Sequence, residues 1–158
     1  MNTFESIVRI ASKYSEEKQT QGQSHPFEIH EIHHDLPNDV KKLFDNAHYA
    51  QATFEASKFL DRIVAKIAKS SDIGKSLMMK AFNEISPQIR LNGLSNESEV
   101  NEQEGYKYIF AGTMIGIRNP RGHEVSIYES VSECLEHLEL ITHLLRKLEK
   151  AGFIIPKV

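Results

Sequence analysis

The chain has 158 residues, which at about 150 per domain is one domain. With 40% apolar and 26% charged residues, it can build an ordinary globular core without a disulfide or metal staple. A net charge of −3 gives no global basic footprint and counts against a nucleic-acid-coating protein. No stretch approaches the roughly 18 consecutive apolar residues of a membrane span. The start, Met1-Asn2-Thr3-Phe4-Glu5, lacks the basic and apolar regions of a secretory leader. Cys134, the single cysteine, excludes an internal disulfide and a Cys-rich zinc site. These features predict a cytoplasmic protein.

In chain order, Phe4, Ile7, Val8, Ala11 and Tyr14 follow helical spacing over residues 4–18, and the polar stretch 19–24 reads as a linker. This divides the chain into an N-terminal helix with linker (1–24) and a main helical domain (25–158). Phe27-Glu28-Ile29-His30-Glu31-Ile32 alternates weakly and reads as a short strand. From Pro37 one long helix is expected, ended by Ser70-Ser71-Asp72, because no Gly or Pro interrupts residues 38–73 and apolar residues mark more than one face. Asp72 is the expected N-cap of a helix over 73–85. A loop rich in Pro, Gly and Asn spans 86–96, and Asn96 with Glu99 suits a helix start. The helix after it carries Tyr106, Ile109, Phe110, Thr113, Met114 and Ile117, together with Gly112 and Gly116 four apart. Each glycine costs about 1 kcal/mol relative to Ala, so close approach by a neighbouring helix or a ligand is expected there. Pro120 should end or kink this helix. The last helix, 129–151, shows the cleanest stripe, Val131, Cys134, Leu138, Ile141, Leu145 and Leu148, and Gly152 stops it. The expected fold is an all-α bundle of about five helices.

Several motifs were weighed for chemistry. Gly74-Lys75-Ser76 lacks both the upstream glycine and the strand of a phosphate-binding loop. His30, His33 and His34 cluster, but no cysteine or patterned carboxylate completes a metal site, so none is expected. His137 and His143 fall off the main stripe of the last helix and read as exposed. His48 beside Tyr49 is either satisfied by packing or faces a site. Cys134, in an apolar stripe, reads as a small hydrophobe.

The segment around Arg118 differs from the rest. Tyr106 to His123 is 18 residues without an acid, although 22 acids are spread over the chain, and it holds Lys107, Arg118 and Arg121. The local field is positive although the protein is not. Arg offers a rigid fork for phosphate oxygens, and His can exchange a proton near neutral pH. If Pro120 and Gly122 bend the chain, His123 returns toward Arg118 in an arrangement suited to phosphodiester chemistry. The competing reading is that Arg118 caps helix carbonyls and His123 is a turn residue.

Arg118-Asn119-Pro120-Arg121-Gly122-His123 resembles the Arg-x4-His signature of the HEPN superfamily. The wider chain resembles the Ymh-type family of prokaryotic hypothetical proteins within it. The matching residues run from His25-Pro26 through Leu43-Phe44, His48-Tyr49-Ala50, Glu55-Ala56, Gly74-Lys75-Ser76-Leu77-Met78 and Gly105 to Gly112-Thr113-Met114-Ile115-Gly116-Ile117-Arg118-Asn119-Pro120. Ala47 stands where that pattern has Gly. The resemblance implies a helical homodimer that brings Arg and His of both copies into one cleft. It further implies a metal-independent endoribonuclease of a defence or toxin–antitoxin system, without cofactor, acting on single-stranded or transfer RNA. Arg118 would bind the scissile phosphate, His123 would move protons and Asn119 would position the pair. Arg121, Lys107, Glu55 and His48 would line the substrate path. An antitoxin or defence-system partner protein is implied as well. The alternative is a catalytically silent HEPN-like dimerisation or binding module, or an antitoxin-like partner.

Overall fold

A computed structural model of the chain describes residues 24–124 and 126–156. The helix expected over 4–18 lies outside them. Every regular element among the described residues is helical: α1 (Pro26–Ile29), α2 (Asn38–Asp45), α3 (Tyr49–Ala68), α4 (Gly74–Ala81), α5 (Glu97–Gly112), a π-helical segment (Thr113–Arg118), α6 (Asn119–His123) and α7 (Val131–Lys150). None of these helices is long and apolar enough to cross a membrane. The chain divides into two compact units at His30–Glu31, and α1 belongs to the first.

The strand expected at 27–32 is not formed. Pro26 supplies a helical φ at the first turn, and His25 Nδ1 accepts the Phe27 N–H at 3.0 Å, so Pro26–Ile29 closes one helical turn instead.

In the second unit α3 is the spine. Helices α2, α4 and α7, the π segment and α6 all pack on it, which is why its apolar residues occupy more than one face. Ala52, Ala56, Leu60 and Ile63 of the spine are buried, as are Leu138, Ile141 and Leu145 of α7 and Met114 of the π segment, both of which pack on it. Phe82 and Phe110 stack with ring centroids 4.2 Å apart and join the end of α4 to α5. The loop between them is held by one buried amide: Gln103 accepts the Leu91 N–H and donates to the carbonyls of Phe82 and Ile89.

The single long helix expected from Pro37 to Ser70-Ser71-Asp72 is two helices. α2 ends at Asp45, and Ala47 adopts a left-handed φ of 59° before α3 begins. A left-handed alanine costs about 1–2 kcal/mol, which accounts physically for the glycine expected at this position. Asp72 does not cap α4. Its carboxylate takes Lys80 at 2.8 Å and Ser70 at 3.4 Å, while the N-cap position falls on Ile73. The first amide of α4, from Gly74 at φ 59°, donates instead to Asp61 Oδ1 of the spine at 2.8 Å. The cap expected at Asn96 forms, its side chain accepting the Glu99 N–H, and the structure adds one at Ser130, which accepts the Glu133 N–H.

Candidate functional site

The run from α5 to α6 carries most of the residues singled out above. Proline inside an α-helix lacks its N–H, and its ring strikes the carbonyl four residues back. The chain accommodates Pro120 without ending the helix. Thr113–Arg118 opens into π geometry, and the Asn119 N–H reaches the Met114 carbonyl five residues back. Helix then continues to His123. Such π segments recur at functional sites. Gly122 lets α6 approach the spine closely, since a Cβ there would lie 2.9 Å from the Phe54 ring.

Arg118 is half-buried, and its Nη1 donates to Asn119 Oδ1 at 3.1 Å. Its Nε is buried without a hydrogen-bond partner among the described residues. No ion pair engages this guanidinium among them, unlike that of Arg121. His123 is exposed at the end of α6. No hydrogen bond joins it to Arg118. With 3.6 residues per turn, positions five apart in an α-helix lie about 140° around the axis, so helix continuity holds the two side chains on different faces. The return of His123 toward Arg118, expected from a bend at Pro120, does not occur within one chain.

Two expected substrate-path cations are committed internally. Arg121 turns inward. Its Nε meets Glu129 at 2.6 Å and its Nη1 donates to the Ile117 carbonyl at 2.9 Å; their side chains are only 7% and 0% exposed. Lys107 is buried and pairs with Glu84, and despite its burial this pairing holds its pKa above the ordinary lysine value. The acid-free window is therefore less positive in space than in sequence. Glu55 lies half-buried with Lys58 at 2.7 Å. His48 is exposed at the N-terminal cap position of α3, with no side-chain capping bond.

The sequence reading missed two carboxylates. Glu129 is the hub of a buried network: Thr53 donates to it at 2.7 Å, His137 Nδ1 meets it at 2.8 Å, and Arg121 Nε donates to it at 2.6 Å. Burial alone would push Glu129 up, but hydrogen bonds from His137, Arg121 and Thr53 overcome this and hold it below the usual carboxylate range. His137, expected to be exposed, is part of this network. Asp61 is buried beneath the start of α4. Burial raises its pKa despite the Gly74 amide and the positive charge of Arg118. No local motif marks either acid, because their partners are 8 to 76 residues away.

The other histidines follow their packing. His33 is buried, its Nδ1 accepts the Asp35 N–H and its Nε2 faces Glu149 at 3.2 Å. That Nε2 makes no hydrogen bond among the described residues, and one ligand atom each of His33, His34 and Asp35 lie within 4.8 Å of one another. His143 is exposed and bonds the Tyr106 hydroxyl at 2.9 Å. Cys134 is buried, and burial pushes its thiol up to about 11, far from nucleophilic use. Gly105, Gly112 and Gly116 have no neighbour within 4 Å of where a Cβ would stand. The close packing expected at Gly112 and Gly116 is therefore not made among the described residues. They lie among the exposed Tyr108, Ile109 and Ile115.

Residues 30–148 match the Hypoth_Ymh family, described as a protein of unknown function. The chain belongs to the Hypoth_Ymh family. The match takes in the spine, the π segment, the Arg118–His123 run and nearly all of α7, so the family's shared core includes the candidate site. No curated protein matches the chain, and no solved structure matches it.

Proposed function

We propose that this Hypoth_Ymh chain is a HEPN-type, metal-independent endoribonuclease of a prokaryotic defence or toxin–antitoxin system, acting in the cytoplasm as a homodimer. The observation that carries the reading is Arg118: a guanidinium held by Asn119, with a buried Nε lacking a partner among the described residues, five residues before an exposed histidine. An Arg with no carboxylate at ion-pair distance among the described residues is suited to an anion. Arg118 would grip the scissile phosphate and offset its developing charge. His123 would take the proton of the ribose 2′-OH or supply one to the leaving 5′-oxygen. The products would be a 2′,3′-cyclic phosphate and a 5′-OH end.

The separation of Arg118 from His123 within one chain supports a composite site, in which the Arg of one copy works with the His of its partner. The exposed face carrying Gly105, Ile109, Gly112 and Gly116 runs into Arg118, and it suits close approach by a second copy beside the site. Arg121 and Lys107 act in this reading by holding the scaffold, because both are already paired.

Purified protein should cut single-stranded or transfer RNA in EDTA, and His123→Ala should lower the rate by about 10²–10⁴-fold, the usual loss of general acid–base catalysis. Undiminished cutting by that variant would sink the assignment. The second reading is a silent dimerisation or antitoxin-like module, favoured by the internal pairing of Arg121 and Lys107, which takes up two of the three cations of the acid-free window. It predicts no cutting, and equal growth of cells expressing wild type or Arg118→Ala.

A further inference from the structure

We infer that the hollow between the start of α3 and the α6–α7 connection is a nucleobase subsite, holding one RNA base that flanks the scissile phosphate; this rests on the ribonuclease reading above. The hollow measures about 470 Å³, and its walls include Tyr49, Ala50 and Gln51 on one side and Ile127, Tyr128 and Val131 on the other. That is within the range of small-ligand pockets, roughly 300–1,000 Å³. A smaller hollow shares Ala50, Gln51 and Ile127 with it and is also lined by Glu124, the residue after His123. The two hollows thus lie side by side along Ala50, Gln51 and Ile127, the smaller one at the end of α6.

The chemistry of the walls selects the occupant. No Lys or Arg lines the larger hollow, and its one carboxylate, Glu129, is already saturated by Arg121, His137 and Thr53. A phosphate has nothing to bind there. The walls offer instead an aromatic face and a free amide. Tyr128 is 89% exposed, with no hydrogen bond or ring contact among the described residues, although burying an aromatic of this size would be strongly favourable. Gln51 is exposed and likewise makes no side-chain hydrogen bond among them. A planar, uncharged ligand with donors and acceptors on its edge satisfies both. Single-stranded RNA is bound in this way, by stacking on aromatic side chains and hydrogen bonding along base edges.

The test uses the full chain and a fluorescein-labelled 2′-O-methyl RNA hexamer of mixed sequence, which lacks the attacking hydroxyl and so is not consumed. Tyr128→Ala should weaken binding about 5- to 150-fold, the range for loss of one base–aromatic stack, while Tyr128→Phe should bind like wild type. Because Tyr128 is so exposed, neither change threatens the fold. The chain contains no tryptophan, so Tyr128→Trp gives a single indole whose emission should be quenched as the hexamer binds. Equal binding by wild type and Tyr128→Ala, with Arg118→Ala weakened, would overturn the subsite and leave the ribonuclease reading intact. Tyr128-dependent binding by a protein that cuts no RNA would support the subsite while removing the ribonuclease reading. AMP binding as tight as that of the hexamer would overturn the assignment to an RNA base in favour of a free nucleotide. Failure of wild type to bind the hexamer would overturn it outright.

Discussion

Replacing Glu129 by alanine tests whether the buried network, rather than helix packing alone, fixes the end of the Arg118–His123 run. Glu129 is fully buried, and three groups depend on it: the Arg121 guanidinium at 2.6 Å, the Thr53 hydroxyl at 2.7 Å and His137 Nδ1 at 2.8 Å. Removing one partner of a buried ion pair costs about 3–5 kcal/mol, because the remaining charge is stranded in a poorly solvated place. A domain of this size loses about 2–4 °C of Tm per kcal/mol, so Glu129→Ala should melt about 6–20 °C below wild type when followed by helical circular dichroism. The pH dependence has a definite sign. Glu129 has a lowered pKa in the folded state, so its contribution is fully present above its ordinary value of 4.5 and is lost as pH falls through the lower folded value. The gap between wild type and variant should therefore be full at neutral pH and narrow in acid. Arg121→Met combined with Glu129→Leu should recover most of the loss, since replacing both partners leaves no stranded charge. A loss under about 1 kcal/mol for Glu129→Ala, the level of an exposed pair, would refute this reasoning.

Ala47→Gly removes the left-handed penalty at a small entropic cost in the unfolded chain, for a net gain of about 0.5–1 kcal/mol in urea unfolding; a loss would show that Ala47 is not strained. Gly112→Ala should stabilise the monomer by about 1 kcal/mol, because its face is open among the described residues. Gly112→Leu should leave the fold intact but lower self-association in sedimentation velocity, and an unchanged dimer would place the interface elsewhere. Arg118→Ala and His123→Ala should each be inactive alone, yet cut RNA when mixed and allowed to exchange subunits. Mixtures as inactive as the single variants would argue for a site contained in one chain.

The helices with a clean 3.6-residue stripe were legible: α7 falls within two residues of its expected position on periodicity alone, and the start of α5 does so because the Asn96 cap marks it. The break at 46–48 was not, since no Gly or Pro marks it and the left-handed residue is an alanine. The passage of helix through Pro120 was not either, because π geometry has no local sequence signature, and it changed the site by keeping Arg118 and His123 apart. Of the candidate residues, Arg118, Asn119 and His123 stand at one helix end as the motif implies. Arg121 and Lys107 looked available because their acids, Glu129 and Glu84, lie outside the acid-free window in sequence but against it in space. Linear charge counts do not see such pairs.

The most direct measurement is the end chemistry of RNA incubated with the purified chain in EDTA. The account predicts 2′,3′-cyclic phosphate and 5′-OH ends, formed by wild type and lost in both Arg118→Ala and His123→Ala. Intact RNA with wild type, or cutting that survives either substitution, would contradict it.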